Sequence, residues 1–169
     1  MLAFFSVLTI VLLVIIDQLL KIIMEVWLQP IGSHPMIEGF LEFRYVENTG
    51  AAFGAMQGKT WFLAALSVII IAVGIYLICS GKLNNALYSA TAILVIAGGI
   101  GNLVDRIFRH YVVDFIATQF IDFPVFNFAD CLITVGEVLL IVCVIYEMVK
   151  ESRQKNISAS VKSEDEKNG

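Results

Sequence analysis

The sequence predicts an all-α polytopic membrane protein, with four transmembrane helices and a small extracytoplasmic β platform in the first long loop. Three observations predict it. Apolar residues make up 59% of the 169 and charged residues 15%, at a mean hydropathy of +0.85, whereas soluble domains run at roughly 45–50% apolar and 25% charged. The apolar residues gather into four runs, each long enough for the ~20 residues that cross a bilayer. Polar segments carrying Pro, Gly and charge separate the runs.

The first span runs from about Leu2 to Trp27. It lacks the basic start and small-residue cleavage site of a removable signal peptide, and its apolar stretch continues past Asp17, so a retained helix is expected. From Leu28 to Thr60 the chain is polar, with Pro30, Gly32 and Pro35 as breakers; within it the aromatic, alternating run Phe40–Glu47 predicts a strand. The second span covers about Trp61–Cys79, and a tight turn, Ser80–Asn85, leads to the third, about Ala86–Val104. A third connection, Asp105–Asn127, closes at Pro124 before the fourth span, about Phe128–Val149. Residues 1–150 thus form one membrane domain. The Ser-, Lys- and Glu-rich remainder, 151–169, is expected to be a disordered cytoplasmic tail.

An even number of spans puts both termini on one side. Lys82, Lys150, Arg153 and Lys155 flank the short turn and the tail, while Glu25, Glu38, Glu42 and Glu47 crowd the first long loop. The positive-inside rule then places both termini in the cytoplasm and the two long connections outside. Asn156-Ile157-Ser158 has the form of a glycosylation acceptor, but on the cytoplasmic side it carries no function. No basic cluster with interleaved aromatics marks a nucleic-acid surface. Cys79, Cys131 and Cys143 show no CxxC spacing and are expected to be buried thiols. His34 and His110 lack a second ligand at metal spacing, so neither a metal nor a cofactor is implied.

Two aspartates stand where the chain leaves and re-enters the bilayer: Asp114 in Tyr111-Val112-Val113-Asp114-Phe115 and Asp130 in Phe126-Asn127-Phe128-Ala129-Asp130. A carboxylate near hydrocarbon is tolerated when it pairs, faces a cavity or does chemistry. Two brought together share a proton and serve as base and acid for hydrolysis, with no metal or covalent intermediate required. Their pKa values belong to the pair.

The surrounding polar residues carry two readings each. Asp17 and Lys21, four apart on one helix face, either form an ion pair that orients the first helix or touch a ligand. Arg106 either pairs with Asp105, snorkels to headgroups or serves the site. Gly98, Gly99 and Gly101 suit close helix packing, which leaves Asn102 as the functional member of that run. Gly50 permits close backbone approach or a loop-to-helix turn. Glu137, seven residues after Asp130, is expected on the same face about 10 Å deeper, paired with a polar neighbour.

Asp17-Gln18-Leu19-Leu20-Lys21, Glu47-Asn48-Thr49-Gly50-Ala51-Ala52-Phe53-Gly54, Gly98 to Arg106, Val112-Val113-Asp114-Phe115 and Phe126-Asn127-Phe128-Ala129-Asp130 together resemble the successive motifs of the lipoprotein signal peptidase, or signal peptidase II, family. The resemblance covers roughly residues 1 to 150 and combines several separated motifs with the four-span layout. It implies an aspartyl endopeptidase of the bacterial cytoplasmic membrane that removes the signal peptide of diacylglyceryl-modified prolipoproteins just before the lipidated cysteine. By motif position, Asp114 and Asp130 resemble the catalytic pair, with Asn102, Arg106 and Asn127 lining the site. Asp17, Lys21, Asn48, Gly50 and Ala129 fall at the remaining motif positions on or beside the pocket. The implied partners are the diacylated prolipoprotein and membrane lipids, met by a monomer.

Two other classes compete on the residues alone. Acids in apolar spans also mark proton-coupled transporters, although four spans without an internal repeat disfavour that reading. A non-enzymatic adaptor would use its carboxylates for helix association only. A mobile lid over Phe40–Val46 is expected, because the site must admit a lipid and a helix from the side.

Overall fold

The computed structural model of the chain describes residues 2–51, 55–80 and 86–168, with side chains over 4–51, 55–80 and 86–155. Ala52-Phe53-Gly54 and the turn residues 81–85, Lys82 among them, lie outside the described residues. Helices α1 (Leu2–Leu28), α2 (Thr60–Cys79), α3 (Ala86–Phe108) and α4 (Phe128–Asn168) are joined through strands β1 (Ser33–Ile37), β2 (Leu41–Asn48) and β3 (Val112–Thr118). Each helix contains a stretch long and apolar enough to cross a membrane: Phe4–Leu28, Thr60–Cys79, Ala86–Phe108 and Phe128–Lys155.

The bundle is apolar outside and polar within. Phe5, Leu12, Ile69, Ile141 and many like them are exposed, whereas Asp17, Lys21, Asn102, Asp105, Asp114 and Asn127 are buried. Lipid, not protein, is the solvent for those outer side chains, so the polar groups gather where they can bond one another. No buried side-chain nitrogen or oxygen among the described residues lacks a hydrogen-bond partner.

Helix α3 is the hub, packing against α1, α2 and α4. Its glycines allow the approach: a Cβ on Gly101 would lie 2.5 Å from Asp17 Oδ2 and 3.2 Å from Ala129 Cβ. Past the end of α3, His110 takes a left-handed backbone, φ 67°, a conformation uncommon outside glycine, and turns the chain into β3.

The three strands form one antiparallel sheet in the order β1-β2-β3. Leu28, Val113 and Phe115 form its buried core, packed by Leu20, Met24 and Tyr45, so the platform rests on the end of α1. The β platform expected from the first long loop therefore draws its third strand from the third connection. Val112–Thr118 is buried along nearly its whole length, so it lacks the alternation that marks a half-exposed strand.

Two further expectations are corrected. Phe40–Val46 is not a free lid: Leu41–Val46 belongs to the central strand, and Gln119 ties the β1–β2 turn down. The backbone N–H of Gln119 donates to Phe40 O, and its Oε1 accepts from Gly39 N. The rings of Phe40 and Phe120 stack at 4.5 Å. Helix α4 continues past the apolar span to Asn168, through a run rich in Glu, Lys and Ser that holds no Pro or Gly before Gly169. Of the cysteines only Cys143 is buried; Cys79 is exposed and Cys131 half-buried.

Candidate active site

Asn127 immediately precedes α4 and exchanges two hydrogen bonds with Asp130. Asn127 Oδ1 accepts from the Asp130 backbone N–H at 3.1 Å, and Asp130 Oδ2 accepts from the Asn127 N–H at 3.1 Å. This is a reciprocal capping box, which satisfies two of the amides a helix N-terminus leaves without partners. With its oxygen so occupied, the Asn127 side chain turns its NH₂ outward. Nδ2 donates to Asp114 Oδ1 at 2.6 Å and to Asn102 Oδ1 at 3.2 Å. One residue therefore touches both aspartates.

Asp114 arrives on β3, opposite Val46 of β2. The register brings Asn48 within reach, and Asn48 Nδ2 donates to Asp114 Oδ2 at 2.8 Å. The Asn48 amide is oriented by Gly50, whose N–H donates to Asn48 Oδ1 at 2.9 Å. A Cβ on Gly50 would lie 2.7 Å from the Ala55 carbonyl oxygen, so this turn has no room for a side chain. Asp114 is 2% exposed. Burial and the neighbouring Asp130 carboxylate push its carboxyl up to about 7, against the pull of its donors Asn48 and Asn127.

Asn102 of α3 is the second bridge. Its Oδ1 accepts from Lys21 Nζ at 2.9 Å, which leaves its Nδ2 to donate to Asp130 Oδ1 at 2.8 Å. Lys21 also pairs with Asp17 at 2.9 Å, and all these atoms lie inside the bundle. Asp17 in turn accepts the backbone N–H of Ala129 at 3.0 Å. Of the two readings of Asp17 and Lys21, the ion pair holds, and it lies behind the aspartates rather than in the cavity.

A cavity of about 530 Å³ opens in front of the aspartates. Asn48, Asn102, Arg106, Asp114 and Asp130 form its polar end, and Phe123, Val125, Phe126, Ile133 and Val135 its apolar walls. Arg106 belongs to this lining, and Asp105 pairs instead with Lys21 and Arg109. Cys131 also reaches the wall.

The structure thus brings together Asp114, Asp130, Asn48, Asn102 and Arg106 at the cavity, with the buried Asn127 bonded to both aspartates and Asp17, Lys21, Gly50 and Ala129 supporting them. Glu137 is not part of it: its side chain is exposed on α4. His34 and His110 pack beside Trp27 and Trp61. The residue that sequence reasoning missed is Asp105, whose side chain is fully buried. A signal existed, since a buried ammonium has three protons to place and Asp17 alone cannot accept them all.

Fold and site are those of an integral membrane enzyme. The chain superimposes on a bacterial membrane enzyme solved at 2.3 Å with a TM-score of 0.78 and 35% identity, covering 85% of this chain and 88% of that one. A second, solved at 1.9 Å, gives 0.74 and 36%, covering 82% and 91%. Residues 9–146 match the family model described as signal peptidase (SPase) II. The chain belongs to that family and is a peptidase. It is 48% identical over 130 residues to a lipoprotein signal peptidase of Caldanaerobacter subterraneus subsp. tengcongensis, covering 75% of this chain and 86% of the relative. A lipoprotein signal peptidase of Streptococcus pyogenes serotype M6 is 39% identical over 139 residues, covering 81% and 90%.

Proposed function

We propose that Asp114 and Asp130 are the aspartic dyad with which this peptidase cuts the signal peptide from diacylglyceryl-modified prolipoproteins, just before the lipidated cysteine. The relatives' activity supports the substrate class. The observation that carries the mechanism is Asn127, whose backbone and side chain bond one carboxylate each and so hold both at one cavity mouth. The transporter and adaptor readings give way to the peptidase family.

Hydrolysis of a peptide needs a base for water and an acid for the carbonyl oxygen or leaving amine. A dyad sharing one proton supplies both, and the carboxyl raised to about 7 is a proton reservoir at neutral pH. The ionised partner takes a proton from the attacking water; the protonated one gives its proton to the substrate. Arg106, at the same polar end, offers positive charge to the oxyanion that forms. The apolar walls suit a helical signal peptide and acyl chains. On this reading the peptidase works as a monomer among membrane lipids, with no part for nucleic acid.

Lys150, Arg153 and Lys155 at the end of the α4 span support cytoplasmic termini and an outward-facing dyad. A reporter active only outside the cytoplasm should work when fused after Gln57 or Gln119 and fail after Lys82 or Gln154. The reverse pattern overturns that orientation. The dyad is tested by Asp114→Asn and Asp130→Asn: each should abolish cleavage of a diacylated prolipoprotein while leaving its binding intact. The double variant should be hardly worse than either single one, because residues acting as a unit are not additive. Substantial cleavage by either single variant would show that the catalytic pair is misassigned.

A further inference from the structure

Behind the cavity lies a mirror arrangement that none of the catalytic steps uses. Asp17 Oδ1 accepts the backbone N–H of Ala129, the residue before Asp130, at 3.0 Å. Asp105 Oδ2 accepts the backbone N–H of Val113, the residue before Asp114, at 3.2 Å. Lys21 Nζ joins the two carboxylates, 2.9 Å from Asp17 Oδ2 and 2.9 Å from Asp105 Oδ2. Its third proton goes to Asn102, which bonds Asp130. Gln18 Nε2 closes the figure from outside, with bonds to Asp17, Asp105 and the Gly101 carbonyl.

We infer that Asp17, Lys21 and Asp105 form a yoke that sets the spacing of the two aspartates, with Asp105 the positioning residue for Asp114 as Asp17 is for Asp130. This rests on the aspartic dyad proposed above. Each arm grips the main chain one residue from a reacting carboxylate, so a shift in either arm passes to the dyad through a rigid peptide unit. The ammonium has its three protons placed on three acceptors, and all three charged side chains are fully buried, so no water replaces a bond that loosens. A cluster that served only to hold α1 against α3 would need neither of the two main-chain contacts.

The separation of the carboxylates governs their repulsion and hence the gap between the two pKa values of the pair. The other charged or titratable groups facing them are Lys21 and Asp17 from α1, Asp105 and Arg106 from α3, and Cys131 from α4; β2 presents the neutral Asn48. A yoke that slackens lets the carboxylates part, and the two limbs of the pH–rate profile should then move toward each other.

The test uses Asp105→Asn and Gln18→Leu in the purified full chain, assayed with a diacylated prolipoprotein across the pH range of activity. Asp105→Asn should lose about a hundredfold in kcat, the scale of an ångström of misplacement, with KM within about twofold. Gln18→Leu, which removes no charge, should change both rate and limbs in the same direction by less. Thermal melting of each preparation reports the folded fraction; should Asp105→Asn fail to fold, Gln18→Leu decides. Limbs that superimpose on those of the native protein overturn the yoke, whatever the loss of rate. Asp114→Asn and Asp130→Asn run alongside: if either cleaves, the dyad itself is wrong, and if both are dead with the limbs unmoved, only the yoke is.

Discussion

Asn127 and Asp130 cap each other, backbone to side chain in both directions, so a proposed catalytic carboxylate is also a structural part of its own helix. The rotamer of Asp130 is set by the geometry of a helix N-terminus, and the same asparagine has its NH₂ left for Asp114.

Asn127→Ala should therefore damage stability a little and turnover a great deal. Loss of a helix cap costs about 1 kcal/mol. Loss of the common tether should lower kcat by about a hundredfold. Thermal melting and steady-state kinetics on one preparation separate the two effects; a variant with native kcat would show that Asn127 only caps the helix.

The raised carboxyl of Asp114 gives stability a sign with pH. Its ordinary value of 3.8 applies to the unfolded chain, and about 7 to the folded one. Between those values the folded state holds more protons, so stability falls as pH rises through about 4 to about 7 and is flat beyond on this account. Asp114→Asn removes the titrating group, and the difference in melting temperature between variant and native should shift in favour of the variant across that window. A difference that does not change with pH would contradict the raised value. Turnover of the native enzyme should decline above about pH 7 as the shared proton is lost.

Lys21→Met leaves Asp17 buried without a cation and Asp105 with Arg109 alone, and breaking such a buried pair costs about 3–5 kcal/mol. Arginine should not rescue it. A planar guanidinium presents its donors as a fork, whereas the three acceptors here surround a single nitrogen. Melting of both variants in detergent checks this, and a stable Lys21→Met protein would count against the ion cluster.

Neighbouring glycines of α3 should respond unequally to a methyl group. A Cβ on Gly98 would lie 2.4 Å from the carbonyl oxygen of Ala129, the residue before Asp130. Gly98→Ala should destabilise by about 1–3 kcal/mol and slow turnover. A Cβ on Gly99 meets only Ile71 of α2, at 3.3 Å and beyond, so Gly99→Ala should cost less and leave turnover near native. Equal effects in melting and kinetics would refute the assignment of faces.

The spans were legible because lipid demands long apolar runs, and each of the four is found within a few residues of its expected bounds. Asp114 and Asp130 stood out because a carboxylate beside hydrocarbon has few innocent uses. Strand β3 did not, because a strand buried on both faces has no alternation to read. Asp105 was hidden by its neighbour: next to Arg106 at a helix end it reads as half of a surface pair, and only the fold shows it turned inward to Lys21. The exposed Glu137 was misread because helical spacing gives a direction but not what covers it.

The first span enters the membrane during synthesis before α3 exists. An unpaired Lys or Asp at the centre of a span costs about 2.5–3.5 kcal/mol on insertion scales, and Asp105, the partner Lys21 later acquires, is encoded 84 residues downstream. Asp17 lies one turn away on the same helix and pairs with Lys21 within α1 itself. The Asp17–Lys21 pair can therefore cross as an electrically neutral unit, and the charge that later steadies the proposed dyad travels into the bilayer already chaperoned by its neighbour.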